Sequence, residues 1–376
     1  MHIAYITQGI YPHVVGGMEI FNFFLIQEMA KSNQISLYTT KKVDFGSKVR
    51  VEVIDPRLFG ISCFRMGQLW LSIKILIKLS NAKQKPDVIH VPFTSNSRYL
   101  GLVFPFITKL LGIPYLVSVH SGDLREWKPQ WMFLRLFKHA KQIVAVSEVL
   151  KVEYEKRTGK PVRVILPLIP FQKTGLTKSE LRQKHDIDDD RFVILFQGTL
   201  KELKHPMDVL ASLKYMGLEY LKQNKVLVLF VGGGAQRQQM LDFVSSNNLG
   251  DHVRLVGRVP YEDTAIYYEV ADLYVIASDY EGTSKSMVGA LFHGLPLIGS
   301  NVEGINNIVS DGVNGLLFPV LDTAKLAGLV QTMIEDTELR LRLAKESVAT
   351  YNANYSFEQT VVEFFDAYSS ITLIKK

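Results

Sequence analysis

Short apolar runs rich in Val, Ile and Leu alternate along this chain with longer stretches in which apolar residues return every three or four positions. The short runs predict buried β-strands, and the longer stretches predict amphipathic helices that pack on them. Strands joined by helices of this length pair in parallel through right-handed crossovers. The pattern therefore predicts an α/β protein built from doubly wound parallel sheets.

The predicted strands fall into two groups, one in each half of the chain. They are His2–Thr7, Ile35–Thr39, Val51–Val53, Val88–Val91, Tyr115–His120, Gln142–Val146 and Val162–Ile165, and then Phe192–Gln197, Val226–Gly232, Val253–Val256, Leu273–Ile276, Pro296–Ser300 and Gly315–Phe318. The predicted helices are Gly17–Ala30, Gln68–Ala82, Ser97–Leu111, Trp131–His139, Glu148–Thr158, Pro206–Leu221, Ala235–Asn247, Tyr261–Ala271, Ser286–His293, Gly304–Ser310, Ala324–Glu335, Thr337–Ala353 and Phe357–Ser370.

Between residues 166 and 190 the alternation stops, with the apolar run LPLIPF followed by a polar, charged stretch. A length of 376 residues suits two domains. We therefore predict Rossmann-like domains at 1–168 and 191–354, a linker at 169–190, and a helix at 355–376 that packs back on the first domain. In two doubly wound sheets that face each other, the functional cleft lies between the carboxyl ends of the strands.

The amino-acid composition indicates a folded protein and its cellular environment. An apolar share of 47% with 21% charged residues supports a full core, so disorder is disfavoured. Cys63 is the one cysteine, which excludes an internal disulfide and indicates a reducing, cytoplasmic environment. The N-terminus predicts a strand, since it has neither the cationic segment nor the cleavage site of a signal peptide.

The net charge of +6 is concentrated in two segments of the first domain. Residues 65–85 carry five cations and no acid, and residues 127–141 mix cations with aromatic residues. The cations are Arg65, Lys74, Lys78, Lys83 and Lys85 in the first segment, and Lys128, Arg135, Lys138 and Lys141 in the second. Both segments suit an anionic partner such as a phospholipid leaflet or a phosphorylated acceptor, while ordinary helices with solvated lysines are the alternative. No recognised nucleic-acid motif occurs, so nucleic acid is not expected as a partner.

We expect no metal cofactor. The histidines are scattered and no carboxylate pair has the spacing of metal ligands. Asp188, Asp189 and Asp190 are adjacent, but they lie in the predicted linker and are typical of a solvated run.

Two candidate positions follow strands of the first domain. Gly16 and Gly17 lie between the first strand and a helix, where glycines let backbone approach a diphosphate and the helix N-terminus favours anions. A simple tight turn is the alternative for this pair, and the absence of the GxGxxG spacing disfavours a nicotinamide cofactor. His120 ends a strand, where it could contact a sugar hydroxyl or a developing charge, or be an ordinary loop histidine.

Two further candidates follow strands of the second domain. Gly198 and Lys204 lie in the loop after its first strand, where a lysine can meet phosphate oxygens or remain solvated. The segment Asp279–Gly289, DYEGTSKSMVG, follows an apolar strand and opens a helix. Its small polar residues could cradle a phosphate with backbone N–H groups, and Glu281 could accept hydrogen bonds from sugar hydroxyls. A helix-capping sequence is the alternative.

Together and in this order, these segments resemble glycosyltransferase family 4, a group of retaining, metal-free enzymes with the GT-B fold of two Rossmann-like domains. The resemblance covers most of the chain and is strongest from Phe192 to Asp322. It rests on FQGTLKELKH, on the glycine turn VGGGAQ, on VRLVGRVPYEDTAIYYEVADLYVIAS, and on EGTSKSMVGALFHGLPLIGSNVEGINNIVSDGVNGLLF.

The resemblance implies a nucleotide-diphosphate sugar as donor, with UDP favoured, and a glycan or lipid-linked acceptor in cell-surface polysaccharide or glycolipid synthesis. The first domain would bind the acceptor and the second the nucleotide sugar. Gly16 and Gly17 would lie against the diphosphate, and His120 would lie beside the transferred sugar. The protein would be a hexosyltransferase of the cytoplasm, peripheral on the inner face of the plasma membrane.

In the second domain the resemblance assigns a role to each motif residue. Gly198, Thr199 and Lys204 would meet the diphosphate, and Arg258 would flank the base. Glu281 and the turn after it would hold the sugar and the β-phosphate; that turn comprises Gly282, Thr283, Ser284 and Lys285. The acceptor hydroxyl would attack on the leaving-group face, so that positioning and electrostatic stabilisation are the protein's main contribution.

Two positions depart from the family pattern. The arginine that usually binds the diphosphate is Thr199 here, and the second glutamate of the family's Glu–seven residues–Glu signature is Gly289. That glutamate usually holds the ribose, and losing such a charge-assisted hydrogen bond weakens binding by about tenfold to a hundredfold. These departures leave open a nucleotide-sugar-binding subunit with weakened catalysis. A GT-B epimerase that acts on UDP-sugars is a separate alternative.

Overall fold

Each strand predicted from the hydrophobic pattern is present in a computed structural model of the protein, which describes residues 1–14, 16–55, 64–93, 100–120 and 130–372. Trp127, Lys128 and the side chain of Arg65 lie outside this described part of the chain. The chain divides into two units, one of Met1–Ile169 with Phe357–Lys376 and the other of Pro170–Ser356. Among the described residues, no helix combines the length and apolarity needed to cross a bilayer.

The first unit contains a parallel sheet with the strand order β3-β2-β1-β4-β5-β6-β7. Its strands are β1 (His2–Ile6), β2 (Gln34–Thr39), β3 (Val49–Val53), β4 (Val88–Phe93), β5 (Tyr115–Val119), β6 (Gln142–Ala145) and β7 (Val162–Val164). Central strands β1, β4 and β5 are buried throughout, as expected for a parallel sheet covered on both faces. The chain order reverses between β1 and β4, so this sheet has its topological switch point there.

Helices cover the first sheet. They are α1 (Gly17–Met29), α2 (Phe64–Ser80), α3 (Leu100–Leu111), α4 (Gln130–His139), α5 (Glu148–Thr158) and, after the whole second unit, α14 (Phe357–Thr372). Helix α14 buries Phe364, Tyr368 and Ile371, and the Phe364 ring lies 5.6 Å from that of Phe21 in α1. The last helix of the chain therefore completes the core of the first unit.

The second unit contains a parallel sheet with the order β10-β9-β8-β11-β12-β13. Its strands are β8 (Phe192–Gln197), β9 (Val226–Val231), β10 (Val253–Gly257), β11 (Leu273–Ile276), β12 (Leu297–Ser300) and β13 (Gly315–Phe318). The switch point lies between β8 and β11, which are hydrogen-bonded neighbours. The helices of this unit are α6 (Lys178–Lys184), α7 (Pro206–Met216), α8 (Leu218–Gln223), α9 (Arg237–Ser246), α10 (Thr264–Val270), α11 (Lys285–Phe292), α12 (Thr323–Glu335) and α13 (Thr337–Asn354).

The stretch interpreted as a linker is packed into the second unit from Pro170 onward. It contains α6, which begins with a capping box between Thr177 and Glu180. Arg182 is 4% exposed, and its side chain donates to Val270 O at 3.1 Å and to Asp272 Oδ2 at 2.8 Å. This buried arginine therefore joins the stretch to the connection between α10 and β11. The charged composition of residues 169–190 did not predict this packing.

Two predicted helices differ from the structure. The helix predicted over Pro206–Leu221 is two helices, because Gly217 at φ +86° ends α7. Gly304–Ser310 forms turns and no helix. Gly304 has φ +87° and lies so close to the Glu281 carbonyl that no β-carbon would fit. A residue with that φ cannot itself be part of a right-handed α-helix.

Candidate functional site

Two loops meet at the switch point of the second sheet. One follows β8 and carries Lys204, and the other follows β11 and carries Glu281. The Lys204 ammonium forms an ion pair with the Glu281 carboxylate, and the Asp279 N–H donates to Leu203 O at 3.1 Å. Because β8 and β11 are neighbours, their carboxyl ends bring together two residues that are far apart in sequence.

The Glu281 carboxylate is buried, with 8% of the residue exposed. Its Oε1 accepts from Lys204 and also from the Ser278 hydroxyl at 2.9 Å. Within the described part of the chain, Oε2 has no recorded hydrogen-bond partner. The glutamate is therefore held in one orientation through one oxygen, while the second oxygen can accept from a ligand. Ser278 was not predicted, although its place just beyond a strand at this edge was a usable signal.

The turn after Glu281 leads into α11, whose N-cap is Ser284. The Ser284 side chain makes no capping hydrogen bond; its Oγ lies 3.2 Å from Ser286 Oγ, which accepts from Tyr274 at 2.8 Å. An α-helix leaves its first N–H groups without intrahelical partners and carries partial positive charge there. This helix start can therefore bind an anion, and Gly282, Thr283 and Lys285 belong to the same turn.

A glycine turn after β9 supports the loop of Gly198 and Thr199. A β-carbon on Gly232, at φ +138°, would overlap the carbonyl oxygen of Gly198. The loops are joined by hydrogen bonds from Gly198 N to Val231 O at 2.9 Å, Leu200 N to Gly233 O at 3.1 Å and Gln236 N to Leu200 O at 3.1 Å. Only glycine allows this approach, so VGGG serves to pack one loop on another.

Thr199 and Arg258 lie at the solvent-exposed rim of this arrangement. A β-carbon on Gly233 would be 3.1 Å from Arg258 Cγ and Nε, so the arginine lies over the glycine turn. Both residues are thus accessible to a ligand at the carboxyl edge.

His205 and Asp279 form a second polar contact between the same two loops. His205 Nε2 lies 2.7 Å from Asp279 Oδ1, and His205 Nδ1 lies 3.4 Å from Asp208 Oδ2. Burial raises the pKa of Asp208, while the nearby imidazole acts in the opposite direction. This pair was also not predicted, because adjacency of the two loops is a property of the sheet.

The packing around α11 explains why position 289 is a glycine. It lies in the buried interior of α11, and a β-carbon there would be 2.8 Å from the Tyr268 ring and hydroxyl and 2.9 Å from Phe171 Cε1. Tyr268 fills this space and donates to Ser286 O at 3.0 Å. The volume that a side chain at position 289 would need is therefore occupied by two aromatic rings.

The first unit has its own set of polar groups at the carboxyl edge. His120 follows β5, with its Nε2 3.1 Å from Ser118 Oγ and its ring 5.8 Å from that of Phe21 in α1. Gly16 is the N-cap of α1, and the Glu19 carboxylate lies over its α-carbon. Gly17 is exposed as the first residue of that helix.

The described residues contain no group of three or more His, Cys, Asp or Glu side chains that could hold a metal ion.

Comparison with known proteins relates this arrangement to sugar transfer. A family model described as glycosyl transferases group 1 matches residues 177–349, and one described as glycosyltransferase family 4 matches residues 15–172. The alpha-D-kanosaminyltransferase of Streptomyces kanamyceticus is 22% identical over 72% of this chain and 74% of its own. The alpha-monoglucosyldiacylglycerol synthase of Streptococcus pneumoniae is 23% identical over 97% of this chain and 85% of its own.

Among solved structures, the Anabaena protein HepE in complex with UDP is similar, with a TM-score of 0.79 and 18% identity over 98% of this chain and 100% of its own. At that identity the likeness concerns the fold.

Proposed function

The chain belongs to the family 4 glycosyltransferases of the GT-B fold, and we propose that it is a retaining hexosyltransferase that takes its sugar from a UDP-sugar. One observation carries the proposal: the Lys204–Glu281 pair lies beside the uncapped start of α11, with Glu281 Oε2 left without a recorded protein partner among the described residues.

Each part of this arrangement suits one part of a nucleotide sugar. The N–H groups at the start of α11 and the Lys204 ammonium would meet the diphosphate, and Glu281 Oε2 would accept from sugar hydroxyls. Charge grows on the leaving diphosphate as its bond to the sugar breaks. Fixed donors stabilise that charge without reorganising, and losing one such donor costs about 3 kcal/mol of transition-state stabilisation.

The remaining candidate residues would complete the donor site. Gly198 and Thr199 would contact the diphosphate, and Arg258 would flank the base. From the first unit, Gly16 and Gly17 would approach the diphosphate and His120 would contact the transferred sugar. UDP as the nucleotide is supported by the HepE complex, and no metal is required by this scheme.

The test is a thermal-shift panel of UDP-, GDP- and ADP-sugars followed by a transfer assay. A ligand at a hundred times its dissociation constant stabilises by about 2.7 kcal/mol. We expect UDP-glucose or another UDP-sugar to raise the Tm of the wild type and of Lys201→Ala, an exposed lysine in the same loop. Lys204→Ala should abolish the shift. Equal shifts in both variants would contradict the proposed site.

A nucleotide-sugar-binding subunit with weakened catalysis is the second candidate, and the packing around Gly289 favours it. Tyr268 and Phe171 occupy the position from which a family glutamate would reach the ribose. Calorimetry with UDP-sugars, paired with a donor-hydrolysis assay, separates the two candidates: binding with no turnover of any donor favours the subunit. Release of an epimer without any acceptor would instead identify an epimerase.

The acceptor is proposed to be a glycan or a lipid-linked sugar at the cytoplasmic face of a membrane, with α3 and α4 as the contact surface. A cavity of about 530 Å³ in this region is lined by Lys109, Arg135 and Lys141, and none of the described residues that line it is acidic. Around it, Phe106, Leu110 and Trp131 are exposed by 64%, 84% and 56%. Cations beside exposed apolar side chains suit anionic headgroups above acyl chains.

Helix α2 supplies the matched control for this surface. Its Lys78 is paired with Glu52, and its Lys74 donates to Asp55 O at 3.0 Å. We expect Arg135→Glu to weaken salt-sensitive co-sedimentation with anionic phospholipid vesicles, and Lys74→Glu to leave it nearly unchanged. Absence of binding by the wild type at low salt would remove the membrane part of the proposal.

A further inference from the structure

Five polar side chains form a continuous line through the core of the first unit. Tyr5 OH lies 2.9 Å from Tyr368 OH, and Tyr368 OH lies 2.7 Å from His90 Nδ1. His90 Nε2 lies 2.8 Å from Ser118 Oγ, which lies 3.1 Å from His120 Nε2. Tyr5, His90, Ser118 and Tyr368 are fully buried at 0% exposure. The line thus runs from the candidate residue His120 through Tyr368 of the last helix, α14, to Tyr5 of β1.

Tyr5, at the end of the line farthest from His120, determines which group of each pair donates the hydrogen bond. Within the described part of the chain, the only hydrogen-bond partner recorded for the Tyr5 hydroxyl is Tyr368. If Tyr368 donated to Tyr5, the Tyr5 proton would be buried without an acceptor, which proteins rarely tolerate. Tyr5 therefore donates to Tyr368, and the Tyr368 proton is left to donate to His90 Nδ1.

The remaining hydrogen bonds, from His90 to Ser118 and from Ser118 to His120, have the same donor-to-acceptor order. Burial keeps the pKa of His90 well below its usual range, and the nearby His120 acts in the same direction. A neutral His90 has one ring proton, and with Nδ1 accepting from Tyr368 that proton lies on Nε2 and is donated to Ser118. The Ser118 hydroxyl then donates to His120 Nε2, so a neutral His120 carries its proton on Nδ1.

We propose that Tyr368, His90 and Ser118 are positioning residues that fix the ring and the tautomer of His120, so that it offers an Nδ1–H donor to an oxygen of the transferred sugar. The proposal rests on the proposed function for the role of His120. Since Ser118 already engages Nε2, a hydrogen bond from the ring to the sugar uses Nδ1. The donor sugar must then place an acceptor oxygen, and not a deoxy carbon, at that point. In this way the C-terminal helix contributes to the site without touching the substrate.

Tautomers can be read directly from ring ¹⁵N chemical shifts of the intact protein labelled at its nine histidines, with His90→Gln and His120→Gln used for assignment. In the wild type we expect His90 to be protonated on Nε2 and His120 on Nδ1. Protonation of neutral His120 on Nε2 would overturn the proposal.

Two matched substitutions, both Tyr to Phe at fully buried positions, test the direction of the line. Tyr368→Phe removes the donor to His90 and should give His120 a mixture of tautomers, whereas Tyr5→Phe removes only the terminal donor and should leave both tautomers as in the wild type. Ser118→Ala breaks the line next to His120 and should act like Tyr368→Phe. It also serves as the second variant if Tyr368→Phe folds poorly.

Kinetics distinguish positioning from packing. With a UDP-sugar that the wild type uses, Tyr368→Phe and Ser118→Ala should lower kcat by about three- to tenfold, the loss expected for one neutral hydrogen bond, with a smaller change in the donor KM. Wild-type kcat in both variants would overturn the positioning role. If the wild type turns over no donor, the proposed function fails, while the ¹⁵N shifts still decide whether the line holds His120 as stated.

Discussion

The two sheets hold the groups at their carboxyl edges in different ways. In the second unit, the loops after β8 and β9 are joined through the backbone, where Gly232 packs under Gly198. The loops after β8 and β11 are joined by the Asp279 N–H to Leu203 O and by the side-chain pair of Lys204 and Glu281. In the first unit, His120 is held by a line of buried side chains that passes through Tyr368 of α14.

This difference explains which parts of the site are visible in the sequence. Contacts made by backbone need glycine at fixed positions, and such glycines form a recognisable local motif. Contacts made by side chains from distant strands and helices leave no local spacing to recognise. The second unit should therefore respond to changes of single glycines, and the first to changes of hydroxyl and imidazole groups.

The largest expected effect comes from Gly232→Ala. The new β-carbon would overlap the Gly198 carbonyl, and φ +138° is unfavourable for alanine, so we expect a loss of about 3–5 kcal/mol in unfolding free energy. Gly217→Ala is the control, because Gly217 has φ +86° in open space and should lose only the cost of backbone strain, about 1–3 kcal/mol. Urea denaturation measures both. Equal losses of stability in the two variants would mean that backbone strain, and not the packing of one loop on another, accounts for the need for glycine at position 232.

The ion pair between Lys204 and Glu281 should have a smaller but still large effect. Lys204→Ala leaves a buried carboxylate without its cation, which costs about 3 kcal/mol, and Glu281→Gln in the same background should recover much of that loss. Both substitutions of this double-mutant cycle remove a charge, and neither introduces one of the opposite sign. The exposed pair of Lys225 and Asp190, with side chains 55% and 60% exposed, is the control and should change stability by less than about 1 kcal/mol. A Lys204→Ala loss as small as that of Lys225→Ala would contradict the buried-pair interpretation.

The smallest effect concerns pH and is tested at one buried histidine of each unit, while burial also lowers the pKa of His2 in the first unit. Burial lowers the pKa of His293 to about 4, with Glu269 raising it and Lys173 lowering it, and burial also lowers the pKa of His90. Because the unfolded state then binds more protons, stability is complete above pH 6.5 and falls as the pH decreases. Each histidine should cost about 1 kcal/mol between about pH 6.5 and 5.5.

Thermal unfolding across this pH range gives the slope for each unit. His293→Gln and His90→Gln should each remove the contribution of the replaced histidine, while the contribution of His2 remains in both variants. The slope, and not the absolute Tm, is the readout, since either change also alters packing. Wild-type slopes in both variants would show that other groups control the acid response.

Much of the fold followed from the sequence because hydrophobic periodicity is a local property. All strands were predicted to within a few residues, and α11 with Glu281 before it was located by the run of small polar residues after an apolar strand. The predicted helix at Gly304–Ser310 was wrong: the segment forms turns, and Gly304, at φ +87° against the Glu281 carbonyl, cannot have helical backbone angles. The predicted roles of individual site residues remain predictions until a ligand is bound.

By itself, then, the sequence determined the set of strands, the parallel α/β class and the residue types after β8 and β11. The tertiary structure alone decided that Lys204 reaches Glu281, that Tyr268 fills the space beside Gly289, and that Tyr368 joins the line to His120. The reason is physical: strand and helix patterns depend on neighbours along the chain, whereas these three contacts depend on strand order and on the return of α14 to the first sheet.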